Sequence, residues 1–279
     1  MFFLPCSVQL CSLFAHFSNM MAEENQNLVK IKRPKIILCD IEGTTTAITF
    51  VKEKLFPYVR AKLRNYLIET WDTDTTRNDI KLLFEQYQKD MIDDQLFDLR
   101  IGNNCSFDID TVCVYVDWLM DHDRKVGPLK QLQGHVWENG YNTGQILGHV
   151  YDDVSRCFRR WTSKFNVKIG IYSSGSVLAQ KLLFSHSIHG DLTPFISYYF
   201  DTNIGPKQST DSYRLITEKV GSSATDIVFL TDVPKEAKAA KESGMMAILS
   251  ERDGIFLTPD DKHTFNSITS FDKIIFLEF

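Results

Sequence analysis

Three short apolar runs stop abruptly at a polar residue: Ile36-Ile37-Leu38-Cys39 before Asp40, residues 167–172 before Ser173, and Ile227-Val228-Phe229-Leu230-Thr231 before Asp232. Near-continuous runs of β-favouring residues, without polar alternation, predict strands of a parallel sheet covered on both faces. Tyr198-Tyr199-Phe200 and Met245-Met246-Ala247-Ile248-Leu249 predict neighbouring strands. Between the later runs the spacing turns helical at 177–184, 211–220 and 234–243, the last with Pro234 in its first turn and Gly244 at its end. Strand and helix alternate, so the expected fold class is α/β, a doubly wound parallel sheet. Ligands of such a sheet gather at the carboxyl ends of its strands, where Asp40, Ser173 and Asp232 would converge.

From Asp40 to Ser173 the chain is far too long for one crossover, which needs about a dozen residues. Apolar residues recur there at helical spacing: Val51, Leu55, Val59, Leu63 and Leu67, then Val112, Tyr115 and Leu119, then Val150, Val154, Phe158 and Trp161. The expectation is a helical cap domain over 50–149, inserted into a catalytic core of 33–49 and 150–279, with a loop at 98–106. No internal repeat is visible. Residues 1–32 read as a disordered N-terminal extension. The first twenty residues are apolar but carry no Lys or Arg. Pro5, Ser7, Gln9, Ser12 and His16 break them up short of the ~20 apolar residues of a spanning helix, so neither a secretory signal nor a membrane span is expected. The working protein is expected to begin near Met20 or Met21.

Bulk properties narrow the class. A chain of 279 residues is near the upper limit for one hydrophobic core, and 43% hydrophobic with 24% charged residues excludes a disordered or collagen-like chain. The net charge of −5, with no long Lys/Arg stripe, argues against nucleic acid as a partner. An acidic protein acting on a phosphorylated substrate needs a local positive charge, for which a divalent cation is the obvious source. Cys6, Cys11, Cys39, Cys105, Cys113 and Cys157 include no Cys-x-x-Cys pair, so neither a zinc site nor a disulfide framework is expected, and a reduced cytosolic setting follows.

The chemistry starts at Asp40. A carboxylate exposed at a strand end can accept a phosphoryl group and split hydrolysis into two easier steps. Glu42, two residues on and followed by Gly43, can protonate the leaving oxygen and then activate water. Taken alone, such an Asp-x-Glu is more often a surface turn. Ser173-Ser174-Gly175-Ser176 opens a helix, a ready anion site, although serine is also a common plain N-cap. Lys207 can act as a point charge on phosphate oxygens, where the bland alternative is a solvated loop lysine. Asp232 can complete an oxygen-ligand set for Mg²⁺ with Asp40 and the backbone or side chain of Glu42. Glu236 reads as helix surface.

The order of these features is more specific than any one of them: acid pair, serine-headed helix, lysine, strand-end aspartate. It resembles the haloacid dehalogenase superfamily, in the version with a helical cap between its first two motifs. Within it, five stretches spread over residues 35–271 are similar to the enolase-phosphatase family of methionine salvage. They are Asp40-Ile41-Glu42-Gly43-Thr44-Thr45-Thr46, Leu55-Phe56-Pro57-Tyr58, Leu129-Lys130-Gln131-Leu132-Gln133-Gly134-His135-Val136-Trp137, Ile171-Tyr172-Ser173-Ser174-Gly175-Ser176 and Phe229-Leu230-Thr231-Asp232-Val233. Glu42 is the most diagnostic residue, because most phosphatases of the superfamily carry Asp there.

The resemblance implies one Mg²⁺ per chain at Asp40, Glu42 and Asp232, catalysis by Asp40, Glu42 and Lys207, and substrate contacts from Ser173, Ser174 and Lys207. The implied reaction takes 2,3-diketo-5-methylthiopentyl-1-phosphate to its enol and then, through an aspartyl-phosphate, to the acireductone and phosphate. The implied setting is a monomer in the cytoplasm and also the nucleus, with a small phosphorylated diketone as partner and neither nucleic acid nor membrane. The base for enolisation stays open between Glu42, Lys207 and His135. Two other readings also stay open. One is a Mg²⁺-dependent phosphatase of another small metabolite; the other is a non-catalytic phosphate-ligand-binding protein, against which the intact Asp40, Glu42, Lys207 and Asp232 argue.

Overall fold

The computed structural model describes residues 28–92 and 107–277. The expected loop at 98–106 and most of the N-terminal extension lie outside the described residues. The three runs that end at polar residues form the centre of a six-stranded parallel sheet, β2 (Ile36–Cys39), β3 (Lys168–Tyr172) and β5 (Ile227–Thr231). With β4 (Ile196–Phe200), β6 (Met246–Ser250) and β7 (Asn266–Ile268) the order is β4-β3-β2-β5-β6-β7, so β2 is central, with β3 and β5 on its two sides. Registers of Cys39 with Ile171 and with Leu230 bring the three strand ends level.

Successive side chains of a strand face opposite ways, and both faces here are apolar. Ile37, Cys39, Ile169 and Ile171 pack against α5 (Asp152–Phe165) and α6 (Val177–Ser185). Ile36, Leu38, Tyr172 and Phe229 pack against α7 (Thr210–Val220) and α8 (Pro234–Glu242). A short α9 (Pro259–Thr264) leads into β7. Residues 28–32, read from sequence as part of a disordered extension, are instead ordered. Strand β1 (Val29–Lys32) pairs in parallel with β8 (Ile274–Leu277), and its alternation buries Val29 and Ile31 beside Phe271 while Lys30 and Lys32 face out.

The inserted region is helical. Ile48–Phe50 runs into a wider i→i+5 turn at Val51–Leu55, where the Phe56 N–H bonds Val51 O, and then into α1 (Phe56–Thr70). Pro57 has no N–H to continue the ordinary ladder, which accounts for the widening. Helices α2 (Asp74–Ile92), α3 (Ile109–Asp121) and α4 (Gly127–Asn142) complete it. The first two helical stripes read from sequence meet in one cluster with Leu83, Leu132 and Val136, and Leu182 of α6 joins them, so α4 rests on the core. The third stripe, Val154, Phe158 and Trp161, belongs to α5 and packs on the sheet instead. Among the described residues no helix is long and apolar enough to cross a membrane.

Candidate active site

Asp40 continues the ladder one residue beyond β2, its N–H bonding Leu230 O at 2.9 Å, so its side chain stands at the strand's carboxyl end. The chain then closes a tight turn in which Ile41 O accepts the N–H groups of Thr44, Thr45 and Thr46. Gly43 sits at φ +70°, and a Cβ there would lie 2.5 Å from Asp232 Oδ2, so glycine is what allows the turn to close against Asp232. Residues remote in the chain pin the same turn. Arg252 Nε donates to Thr44 O (3.1 Å) while its guanidinium pairs with buried Asp153 (2.9 Å), and His149 Nδ1 accepts the Ala47 N–H (3.2 Å). Neither carries a local sequence signal.

Lys207, only 9% exposed, lies between two acids: its Nζ is 2.6 Å from Asp40 Oδ1 and 2.8 Å from Glu236 Oε2. Glu236 is therefore not helix surface. It is buried and also accepts from Thr231 Oγ1 at 2.9 Å. The overlooked signal is positional, since a residue in the first turn of α8, directly after the strand end at Asp232, is carried back over the ends of the strands. Burial alone would depress the Lys207 ammonium, but Asp40 and Glu236 outweigh it and raise its pKa. Burial and then the Asp40 charge lift Glu42 and Glu236 above the usual carboxylate range, and push Asp232 up to about 7. Negative charge at the strand ends exceeds what Lys207 offsets.

On the other side of Asp40, Ser173 is buried, its N–H bonding Phe200 O (3.1 Å) and its Oγ accepting from the Gly175 N–H (3.3 Å). Ser176 caps α6 by accepting the Ala179 N–H. Gln180, fully inside, ties the loop by donating to Gly175 O (2.9 Å) and Phe200 O (2.8 Å), a role invisible in the sequence. A cavity of about 690 Å³ lies above, floored by Glu42 and Ser173-Ser174-Gly175 and walled by cap residues that include Phe56, Leu129 and Trp137. His135 does not line it. Its Nδ1 is bound to Asp79 Oδ2 at 2.6 Å within the cap.

The donor set suits a hard divalent cation. Asp232 Oδ1 is buried with no protein partner among the described residues, and burial together with the Asp40 charge raises the carboxyls of Asp232 and Glu42. Among the described residues, no three His, Cys, Asp or Glu side chains gather into a cage that could hold a metal alone. That is compatible with Mg²⁺, which takes one or two carboxylates and fills its shell with main-chain, water and phosphate oxygens.

A parallel sheet wound on both sides of a central strand, with an acid at that strand's end and a helical insertion just after it, defines the class. The family model of the haloacid dehalogenase-like hydrolases matches residues 34–244. The chain is similar to "Enolase-phosphatase E1" of Drosophila mojavensis, 46% identical over 79% of this chain and 86% of that one. It is likewise 45% identical to the proteins of that name from Naegleria gruberi, over 89% of this chain and 98% of the other, and Xenopus tropicalis, over 86% and 94%. Among solved structures it is similar to the UTR4 protein of Saccharomyces cerevisiae, 34% identical with a TM-score of 0.69 over 86% of this chain and 99% of that one. A magnesium-bound HAD-hydrolase, YfnB of Bacillus subtilis, shares the fold at 15% identity and a TM-score of 0.50, over 87% and 97%. The chain belongs to the enolase-phosphatase family, within the haloacid dehalogenase-like hydrolases.

Proposed function

We propose that the enzyme converts 2,3-diketo-5-methylthiopentyl-1-phosphate to its enol and then hydrolyses the phosphate ester, releasing the acireductone and inorganic phosphate. The observation that carries the phosphatase half is the Lys207 ammonium held 2.6 Å from Asp40 Oδ1 and 2.8 Å from Glu236. A carboxylate approaching a phosphate dianion is repelled, and a cation fixed beside it lowers that cost without reorganisation. The Asp40 carboxylate attacks phosphorus, the ester P–O bond breaks, and Glu42, carrying the proton taken up on enolisation, gives it to the departing enol oxygen. Glu42 then takes a proton from water, which attacks the aspartyl-phosphate and returns Asp40 as carboxylate. Ser173 and Ser174, with Lys207, hold the phosphate oxygens.

One Mg²⁺ would be held by Asp40, Asp232 and Glu42, the last through its backbone or side chain, and would supply charge stabilisation at the phosphoryl oxygens and the diketone. Of the candidates for the enolisation base, Glu42 lines the cavity and His135 does not, which favours Glu42. The apolar cap wall of Phe56, Leu129 and Trp137 suits a methylthio tail and excludes water. The enzyme acts as a cytoplasmic monomer, also present in the nucleus, without nucleic-acid or membrane partners.

The test follows phosphate release and enol absorbance together, with Mg²⁺ and the diketone phosphate. Enol appearing with or before phosphate is expected. Phosphate without any enol signal would replace this reading with a phosphatase of another small metabolite, and no release at all would replace it with a phosphate-binding protein.

A further inference from the structure

The cap reaches the phosphate loop through one charged side chain that the reaction above does not use. Lys130 of α4 donates to the main-chain carbonyl of Ser174 (3.0 Å) and to Thr202 Oγ1 (3.3 Å), joining the cap to the loops after β3 and β4. It lies between the 690 Å³ cavity and a second of about 430 Å³, and lines both. The Ser174–Gly175 peptide is trans, so its carbonyl and its N–H point in opposite directions. With the carbonyl turned toward Lys130, the N–H is turned back into the loop, where it donates to Ser173 Oγ at 3.3 Å. A hydroxyl that accepts through a lone pair still has its own hydrogen to give. Hydrogen bonds in series polarise one another: the ammonium draws on the carbonyl, the N–H becomes a stronger donor, and so does the hydroxyl it binds. Burial lowers the Lys130 pKa from its ordinary value, with Asp201 opposing that shift and Lys125 adding to it.

We propose that Lys130 is a positioning residue of the phosphate site, which orients and polarises the Ser173 hydroxyl through the Ser174–Gly175 peptide and does so only while α4 is seated on the core. Phosphate affinity is thereby made to depend on the cap. The inference rests on the phosphatase reading of the site, but binding tests it without turnover.

Inorganic phosphate is titrated into the Mg²⁺-loaded protein by calorimetry. Lys130→Met is expected to weaken binding about threefold to tenfold, and Lys130→Arg to restore most of it. With the diketone phosphate the loss should appear in KM more than in kcat. In a Ser173→Ala background Lys130→Met should change little, since the relay ends at that hydroxyl. The proposal is overturned if Lys130→Met binds phosphate as the parent does, or loses as much without Ser173 as with it, which would make the lysine a general cap anchor. Should Lys130→Met not fold, Thr202→Val loosens the ammonium while leaving α4 and the loop backbone intact. About a twofold weakening in the parent and none in Ser173→Ala is then expected, and equal weakening in both overturns the relay. A parent that binds no phosphate also overturns it; one that binds phosphate yet hydrolyses no ester counts against the enzyme reading alone.

Discussion

The cap and the core both bury acids, but they treat them differently. In the cap both carboxylate oxygens of Asp79 and of Asp90 are partnered: Asp79 takes Gln131 Nε2 and His135 Nδ1, each at 2.6 Å, while Asp90 takes Gln86 and Arg124 on one oxygen and Tyr115 on the other. At the strand ends of the core, Asp232 keeps a buried oxygen with no partner among the described residues, and its carboxyl is pushed up to about 7 by burial and by Asp40. A fully partnered buried acid specifies packing. A buried acid left short of partners is a place prepared for something the chain does not itself supply.

The sharpest way to break this contrast is to neutralise one acid of each kind. Asp40→Asn should lower turnover about a thousandfold or more while leaving the melting temperature near that of the parent, read by steady-state assay beside calorimetry. Substantial Mg²⁺-dependent activity in that variant would remove Asp40 as nucleophile. Asp79→Ala should do the opposite, costing about 3 kcal/mol in denaturant titration because His135 and Gln131 lose their shared acceptor, with kcat per folded molecule unchanged. Asp232→Asn is expected to weaken Mg²⁺ binding about tenfold or more, followed by the metal-induced shift in melting temperature. An unchanged shift would place the cation elsewhere.

The smallest effect is a pH dependence confined to the cap. The hydrogen bond to Asp79, against the opposing effect of burial, raises the His135 pKa above its ordinary value of about 6.5. The folded protein therefore holds that proton at a pH where the unfolded chain has released it. The stabilisation is complete below the ordinary value and is lost as pH rises through the raised one. Between pH 6 and 9 the parent should lose about 2 °C more in melting temperature than His135→Gln, and parallel curves would show that the pair carries no charge.

The strands and the residues at their ends were legible because the reason for them is local. An apolar run must stop where the sheet does, and Asp40, Ser173 and Asp232 each interrupt one. Lys207 was legible only through its order among the others, since a loop lysine has no periodicity. What escaped was set by distance in the chain. Arg252 meets Thr44 across 208 positions, Lys130 meets Ser174 across 44, and His149 meets Ala47 across 102. No pattern within a window of one helix or strand encodes such contacts. Glu236 escaped for another reason, because an acid in a first helical turn satisfies the helix dipole whether it faces solvent or a lysine. Strand β1 escaped because a run of four residues, Val29–Lys32, with alternate lysines is as typical of a solvated tail as of an edge.

That strand also has a bearing on how the protein is made. Val29 is paired with Ile274 and Lys32 with Leu277, so the beginning and the end of the described chain lie side by side. On the ribosome β1 waits, unpaired, until Ile274–Leu277 has emerged, whereas the cap can assemble from contiguous helices as they appear. A chain cut short at residue 273 would carry every residue of the catalytic constellation and still expose Val29 and Ile31, a sticky edge for quality control to find.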